Sequence, residues 1–185
     1  MQKINLSIWA FVLLAFLVSS CLTVEKKEYT FELTGKNSGI LTIKYINIMS
    51  IKDDTTDVSK ADFEELINNY YKGDQLEKDY PDVVNIEKRL YEENGVLCGE
   101  VTIEFTDLVT ARLYQRNKKD PIMFSVQSTY DSETFLESNG EYGGEIMPVV
   151  FWPPKEKFLR LVTSVMQSDE TMISLVEEYR EWKDQ

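Results

Sequence analysis

The side chains that could do covalent or metal chemistry are few, and their types decide much. The chain has 185 residues, with two cysteines, Cys21 and Cys98, and no histidine. Serine and cysteine nucleophiles of the Ser-His-Asp and Cys-His kinds need an imidazole that titrates near neutrality, so neither can be assembled from this chain alone. Zinc, copper and haem sites built on histidine are excluded for the same reason, and two cysteines cannot supply a cysteine-only zinc site. No metal and no cofactor is implied. What the chain has in quantity is carboxylate: 32 aspartates and glutamates against 20 lysines and arginines, a formal net charge of −12. Asp53, Asp54 and Asp57 cluster in residues 52–57, but without the glycine and the distal glutamate of a calcium loop they read as a solvated acidic loop. Two carboxylates about 5 to 9 Å apart suffice for glycoside hydrolysis, yet spacing along the sequence nominates no pair among so many.

Of the two cysteines, Cys21 has the more telling surroundings. Residues 1–5 carry one positive charge, on Lys3, and residues 6–18 are an almost unbroken apolar run. A run of about 13 residues has the length of a signal-peptide core and falls short of the ~20 that a permanent membrane span needs. It closes in Val18-Ser19-Ser20-Cys21: an aliphatic residue, two small residues and a cysteine. This resembles the lipobox of bacterial lipoproteins, and the resemblance covers the N-terminal segment alone. It implies cleavage between Ser20 and Cys21 by signal peptidase II, with two or three acyl chains of the palmitate type on Cys21. Two such chains hold a protein stably on a membrane, at about 0.8 kcal/mol per buried methylene. Leu22, where an aspartate would signal retention at the inner membrane, resembles the pattern that sends lipoproteins of some diderm bacteria to the outer membrane.

The organisation so implied is a signal peptide over residues 1–20, a lipidated tether over 21–27 and a single domain over 28–185. The domain sits at the bacterial cell envelope, held to the membrane through the acyl chains on Cys21. Loss of Lys3 with the signal peptide leaves the mature chain one unit more negative. Such a field repels phosphate backbones, and Arg116, Lys118 and Lys119 are too few for a basic patch, so nucleic acid is excluded as a partner.

The remaining groups are positioned by whatever elements the chain forms, and 43% hydrophobic and 12% aromatic residues are the content of a chain that folds. Residues 28–33 and 40–48 read as strands joined by Thr34-Gly35-Lys36-Asn37-Ser38-Gly39, a turn rather than a phosphate loop because it leads into a strand. Residues 83–93 and 96–105 flank Asn94-Gly95, the dipeptide of a two-residue type I′ hairpin. Val101, Ile103 and Phe105 alternate with polar neighbours, and Cys98 in the same strand reads as a small core residue. Residues 122–130 and 146–152 read as further strands, 107–115 as a short helix or irregular connection, and 138–144 as a loop. Residues 158–166 fit either a helix or a strand, and the Pro153-Pro154 turn before them inclines the reading to a returning strand.

Two amphipathic helices are expected. In residues 59–72, Ser59 is the cap, Asp62 the reciprocal capping group, and Phe63, Leu66, Ile67, Tyr70 and Tyr71 the buried stripe before Gly73. In residues 168–183 the stripe is Met172, Leu175, Val176, Tyr179 and Trp182. The fold class is therefore α+β, an antiparallel sheet built from hairpins with these two helices packed on it.

A binding or structural role at the envelope follows by exclusion, the partner being an envelope protein, an apolar ligand or a wall component. The alternative is a carboxylate-based hydrolase acting on envelope glycans. The local mark of a binding role is Phe151-Trp152-Pro153-Pro154, a strand ending in a corner that could present aromatic and proline surface. The same four residues equally fit a core strand followed by a turn.

Overall fold

The computed structural model describes residues 22–52, 57–127, 133–166 and 171–184. Ser20 and Cys21 lie outside them, as does most of the acidic loop. Among the described residues the chain is mostly antiparallel sheet with a few short helices, an α+β arrangement.

The strands are β1 (Leu22–Leu33), β2 (Gly39–Ile51), β3 (Asn85–Glu93), β4 (Val96–Phe105), β5 (Leu113–Tyr114), β6 (Ile122–Ser125), β7 (Thr134–Ser138), β8 (Glu141–Tyr142), β9 (Val149–Trp152), β10 (Phe158–Ser164) and β11 (Met172–Ser174). The larger sheet runs β3-β4-β2-β1-β10-β7, with β11 beside β2; the smaller runs β5-β6-β9-β8. Both expected hairpins are present. The amides of Thr34 and Gly35 donate to the Ser38 carbonyl to close β1–β2. In β3–β4, Asn94 and Gly95 both have positive φ, 54° and 81°, the pair of left-handed residues that a type I′ turn requires. The ambiguous residues 158–166 resolve as strand β10, which takes the open side of β1 with Leu161 opposite Tyr29.

Two expectations are corrected. Residues 22–27, expected as a tether, are the first half of β1: they pair with β2 from Leu22 opposite Ser50 to Lys27 opposite Tyr45. The expected C-terminal helix is shorter than its periodicity suggested. Met172–Ser174 form β11 against Met49–Ile51, and the helix α3 covers Val176–Lys183 only. The cause is β2, which extends past Ile46, the last of its residues to pair with β4. Its exposed edge offers backbone partners that the first turn of an isolated helix lacks.

The ladder between β1 and β2 is interrupted once. The Glu25–Asn47 pair is missing between Val24–Ile48 and Lys26–Ile46, and Asn47 takes a φ of 56°, a conformation that asparagine tolerates better than most residues. Its side-chain amide donates to Glu25 Oε2 at 3.0 Å. Side-chain parity changes across this break. Tyr29 and Phe31 reach the inner face on one side of it, and Leu22 and Val24 on the other.

That inner face is covered in two ways. Over one half lies the smaller sheet, with Phe31 against Phe124 and Trp152 at 5.8 and 6.4 Å between ring centroids. Over the other half lie α1 (Ser59–Glu65), a π-helical continuation (Leu66–Tyr71), α2 (Gln75–Asp79) and α3. Phe63, Leu66 and Ile67 bury there with Leu97, Leu175 and Tyr179, which accounts for much of the stripe read in residues 59–72. The capping differs from expectation: Val58 occupies the N-cap position without a side-chain hydrogen bond. Asp62 is buried and accepts a hydrogen bond from the Ser50 hydroxyl, so that acid ties the helix to β2 rather than closing a capping box.

A tyrosine-roofed pocket as the candidate site

Four inner-face residues lie in one row across the larger sheet: Lys27 opposite Tyr45, Tyr45 opposite Gly99, and Gly99 opposite Leu90. Four strands at about 4.8 Å spacing make this row roughly 14 Å long. Gly99 lies in the floor of a hollow in the sheet. A Cβ at this position would press on Ile48 Cδ1 at 3.2 Å and meet Leu90 Cδ2 at 3.5 Å, so these two side chains lean over the glycine. Glycine inside a strand commonly marks such a close approach.

The roof comes from the helical side. Leu66, Tyr70 and Tyr71 of the π-helical segment and Leu76 of α2 join the row in lining a cavity of about 350 Å³, with Val24, Ile48, Val101 and Val165 as further apolar walls and Asp79, Lys88, Arg89 and Glu100 as charged ones. That volume is at the lower end for small-molecule sites, and an apolar lining with a few polar groups is their usual composition. A π-helical turn is itself frequent at functional sites because it displaces side chains from α-helical positions. Trp182 of α3 supports the roof from behind, its ring 5.9 Å from that of Tyr71 and nearly perpendicular to it.

The polar groups around the cavity are held. Lys88 Nζ donates to the Gly73 carbonyl and to Glu77, both at 2.7 Å, fastening β3 to the turn that ends the roof. Lys27 lies 5.9 Å from the centre of the Tyr45 ring and donates to Glu133 Oε1 at 2.7 Å. Glu133 is 3% exposed and receives two further hydrogen bonds, from the Tyr29 hydroxyl at 2.8 Å and the Thr163 hydroxyl at 2.6 Å. Burial foremost, and then the negative charge of Glu133, push the Tyr29 phenol well above its ordinary range. Burial does the same for Tyr45. Both phenols are therefore neutral at physiological pH.

The residues singled out from sequence lie elsewhere. Phe151, Trp152, Pro153 and Pro154 belong to the smaller sheet and the turn after it. Trp152 is 1% exposed, its indole N–H donating to Asn139 Oδ1 at 2.8 Å, so it is a core residue and not a partner contact. The alternation that buries Val150 also buries Trp152. Phe151 is partly buried, and Pro153 and Pro154 are exposed. Cys98 is a buried free thiol, pushed above the usual thiol range by that burial, and is correspondingly inert.

Sequence reading did not find the row through Gly99 or the Lys27–Glu133 pair. Gly99 in a run of alternating apolar residues was the available signal. The acid-base pair joins positions 106 residues apart and leaves no local trace. Compared with protein-family models, curated proteins and solved structures, the chain matches none. Among the described residues no helix is long and apolar enough to cross a membrane.

Proposed function

We propose that this chain is a membrane-anchored envelope lipoprotein, processed between Ser20 and Cys21 and held by acyl chains on Cys21, whose domain binds an apolar ligand in the tyrosine-roofed pocket. The observation that carries the binding half is the pocket itself, a largely apolar hollow between the Lys27–Tyr45–Gly99–Leu90 row and its helical cover. The anchoring half rests on the Val18-Ser19-Ser20-Cys21 resemblance, and an outer-membrane address on Leu22. Hydrolysis of glycans draws no comparable support. Glu133, the deeply buried glutamate beside Lys27, has both carboxylate oxygens engaged by the protein's own donors, whereas a glycosidase acid must meet its substrate.

Replacing Cys21 by alanine in the full chain should abolish acyl labelling and leave the apolar leader uncleaved. Labelling that persists in this variant contradicts the anchor. In the same background, an added photoreactive alkyl probe should attach to peptides from residues 66–76 and 86–101. Adding Gly99→Leu should reduce that attachment about tenfold, equivalent to ~1.4 kcal/mol of binding. Equal attachment with and without the leucine would refute the pocket as the binding site.

A further inference from the structure

The position of the pocket relative to the anchor suggests what occupies it. Leu22, Thr23 and Val24 line the cavity, and Cys21 is the residue immediately before them in the chain. Because residues 22–27 are strand rather than loose tether, the start of the mature chain is held beside the cavity instead of wandering away from it.

We propose that, when the protein is lipidated, one acyl chain on its own Cys21 lies in the pocket, entering it past Leu22 and Val24. This rests on the lipoprotein reading above and names the ligand of the same site. Two arguments carry it. The pocket's walls are mostly leucine, isoleucine, valine and tyrosine side chains, and the charged residues among them, Lys27, Asp79, Lys88, Arg89 and Glu100, bond to other groups of the protein, so an alkyl chain leaves few polar groups without partners. A chain attached one residue from the cavity is present at an effective concentration in the millimolar range, which favours it over a diffusible apolar molecule of equal intrinsic affinity. Anchoring need not suffer, because two hydrocarbon chains suffice to hold a protein on a bilayer, and a third is free to turn inward. The occupied pocket would then be opened to other apolar ligands only when that chain leaves it for the membrane.

The test uses the full chain made in cells fed a fatty acid that carries a photoreactive diazirine. Mass spectrometry of the purified lipoprotein first establishes label on Cys21. Irradiation should then form intramolecular links from Cys21 to residues 66–76 or 86–101, and Gly99→Leu should reduce their yield about tenfold. The wild-type map alone decides the question should the leucine variant fold poorly. Label on Cys21 that links only to phospholipid or detergent overturns this inference and leaves the anchor standing. Absence of label on Cys21 overturns both.

Discussion

The two halves of the inner face are made from the same strands and closed by different means, and the contrast locates function. Over one half, β6 and β9 bring Phe124, Val150 and Trp152 down onto Tyr29 and Phe31. Large aromatic side chains interdigitate there, Tyr29 and Phe124 with ring centroids 5.2 Å apart. Over the other half the covering element is helical and is carried on Phe63, Leu66, Ile67 and Tyr179 around its margin. Under its centre the sheet offers Gly99, which has no side chain to meet it. A sheet-on-sheet interface fills its interior from both faces at every second residue. The helical cover is packed mainly at its margin and leaves a hollow between itself and the sheet.

The largest effect that would break this comparison is at Trp152. If the closed half carries stability, Trp152→Ala should cost about 3 to 5 kcal/mol in a denaturant melt, as truncation of a buried tryptophan does. It should leave alkyl-probe attachment per folded molecule unchanged. A loss under ~1 kcal/mol, the size usual for surface positions, would put Trp152 outside the core.

A smaller loss is expected where the halves meet, at Glu133. Removing it as Glu133→Ala leaves the Lys27 ammonium and the Tyr29 and Thr163 hydroxyls without their shared acceptor. Lys27 keeps some access to water, its side chain being 17% exposed, so the cost should be about 2 to 3 kcal/mol rather than the full value for a broken buried pair. Glu133→Gln, which retains one acceptor oxygen, should lose less. Equal stability of the wild type and the alanine variant would show the pair to be ornamental. The smallest effect sharpens the boundary of the core: Pro153→Ala, one residue past Trp152 and exposed, should change stability by no more than about 0.5 kcal/mol. A cost comparable to that of Trp152→Ala would extend the core beyond β9.

The sequence made the closed half largely legible and the hollow half hardly at all, for physical reasons. Alternation and turn chemistry are local, so Asn94-Gly95, the 34–39 turn and the returning strand β10 could be read from neighbours in the chain. Trp152 was legible as core by the same alternation with Val150, although its place beside two prolines also suited a surface corner. The π-helical segment shares nearly all the periodicity of an α-helix, so the stripe at residues 63–71 identified its buried face without revealing the altered turn. Strand β11 depends on the free edge of β2, and residues 22–27 became strand because β2 extends to meet them, with β10 alongside Lys26 and Lys27. Neither dependence is visible locally. The pocket is a property of four strands and two helical segments together, announced by a single glycine.

Hydrogen exchange of the Cys21→Ala chain, with and without a saturating linear alkyl ligand, tests the division between the halves most directly. Ligand in the pocket should slow exchange in the roof and floor, residues 66–76 and 96–101, by stabilising them against local opening. Amides of β6 and β9, Ile122–Ser125 and Val149–Trp152, should exchange at unchanged rates in the local-opening regime. Protection confined to β6 and β9, or no protection at residues 66–76 and 96–101 at saturating ligand, would contradict the assignment of the hollow half as the binding site.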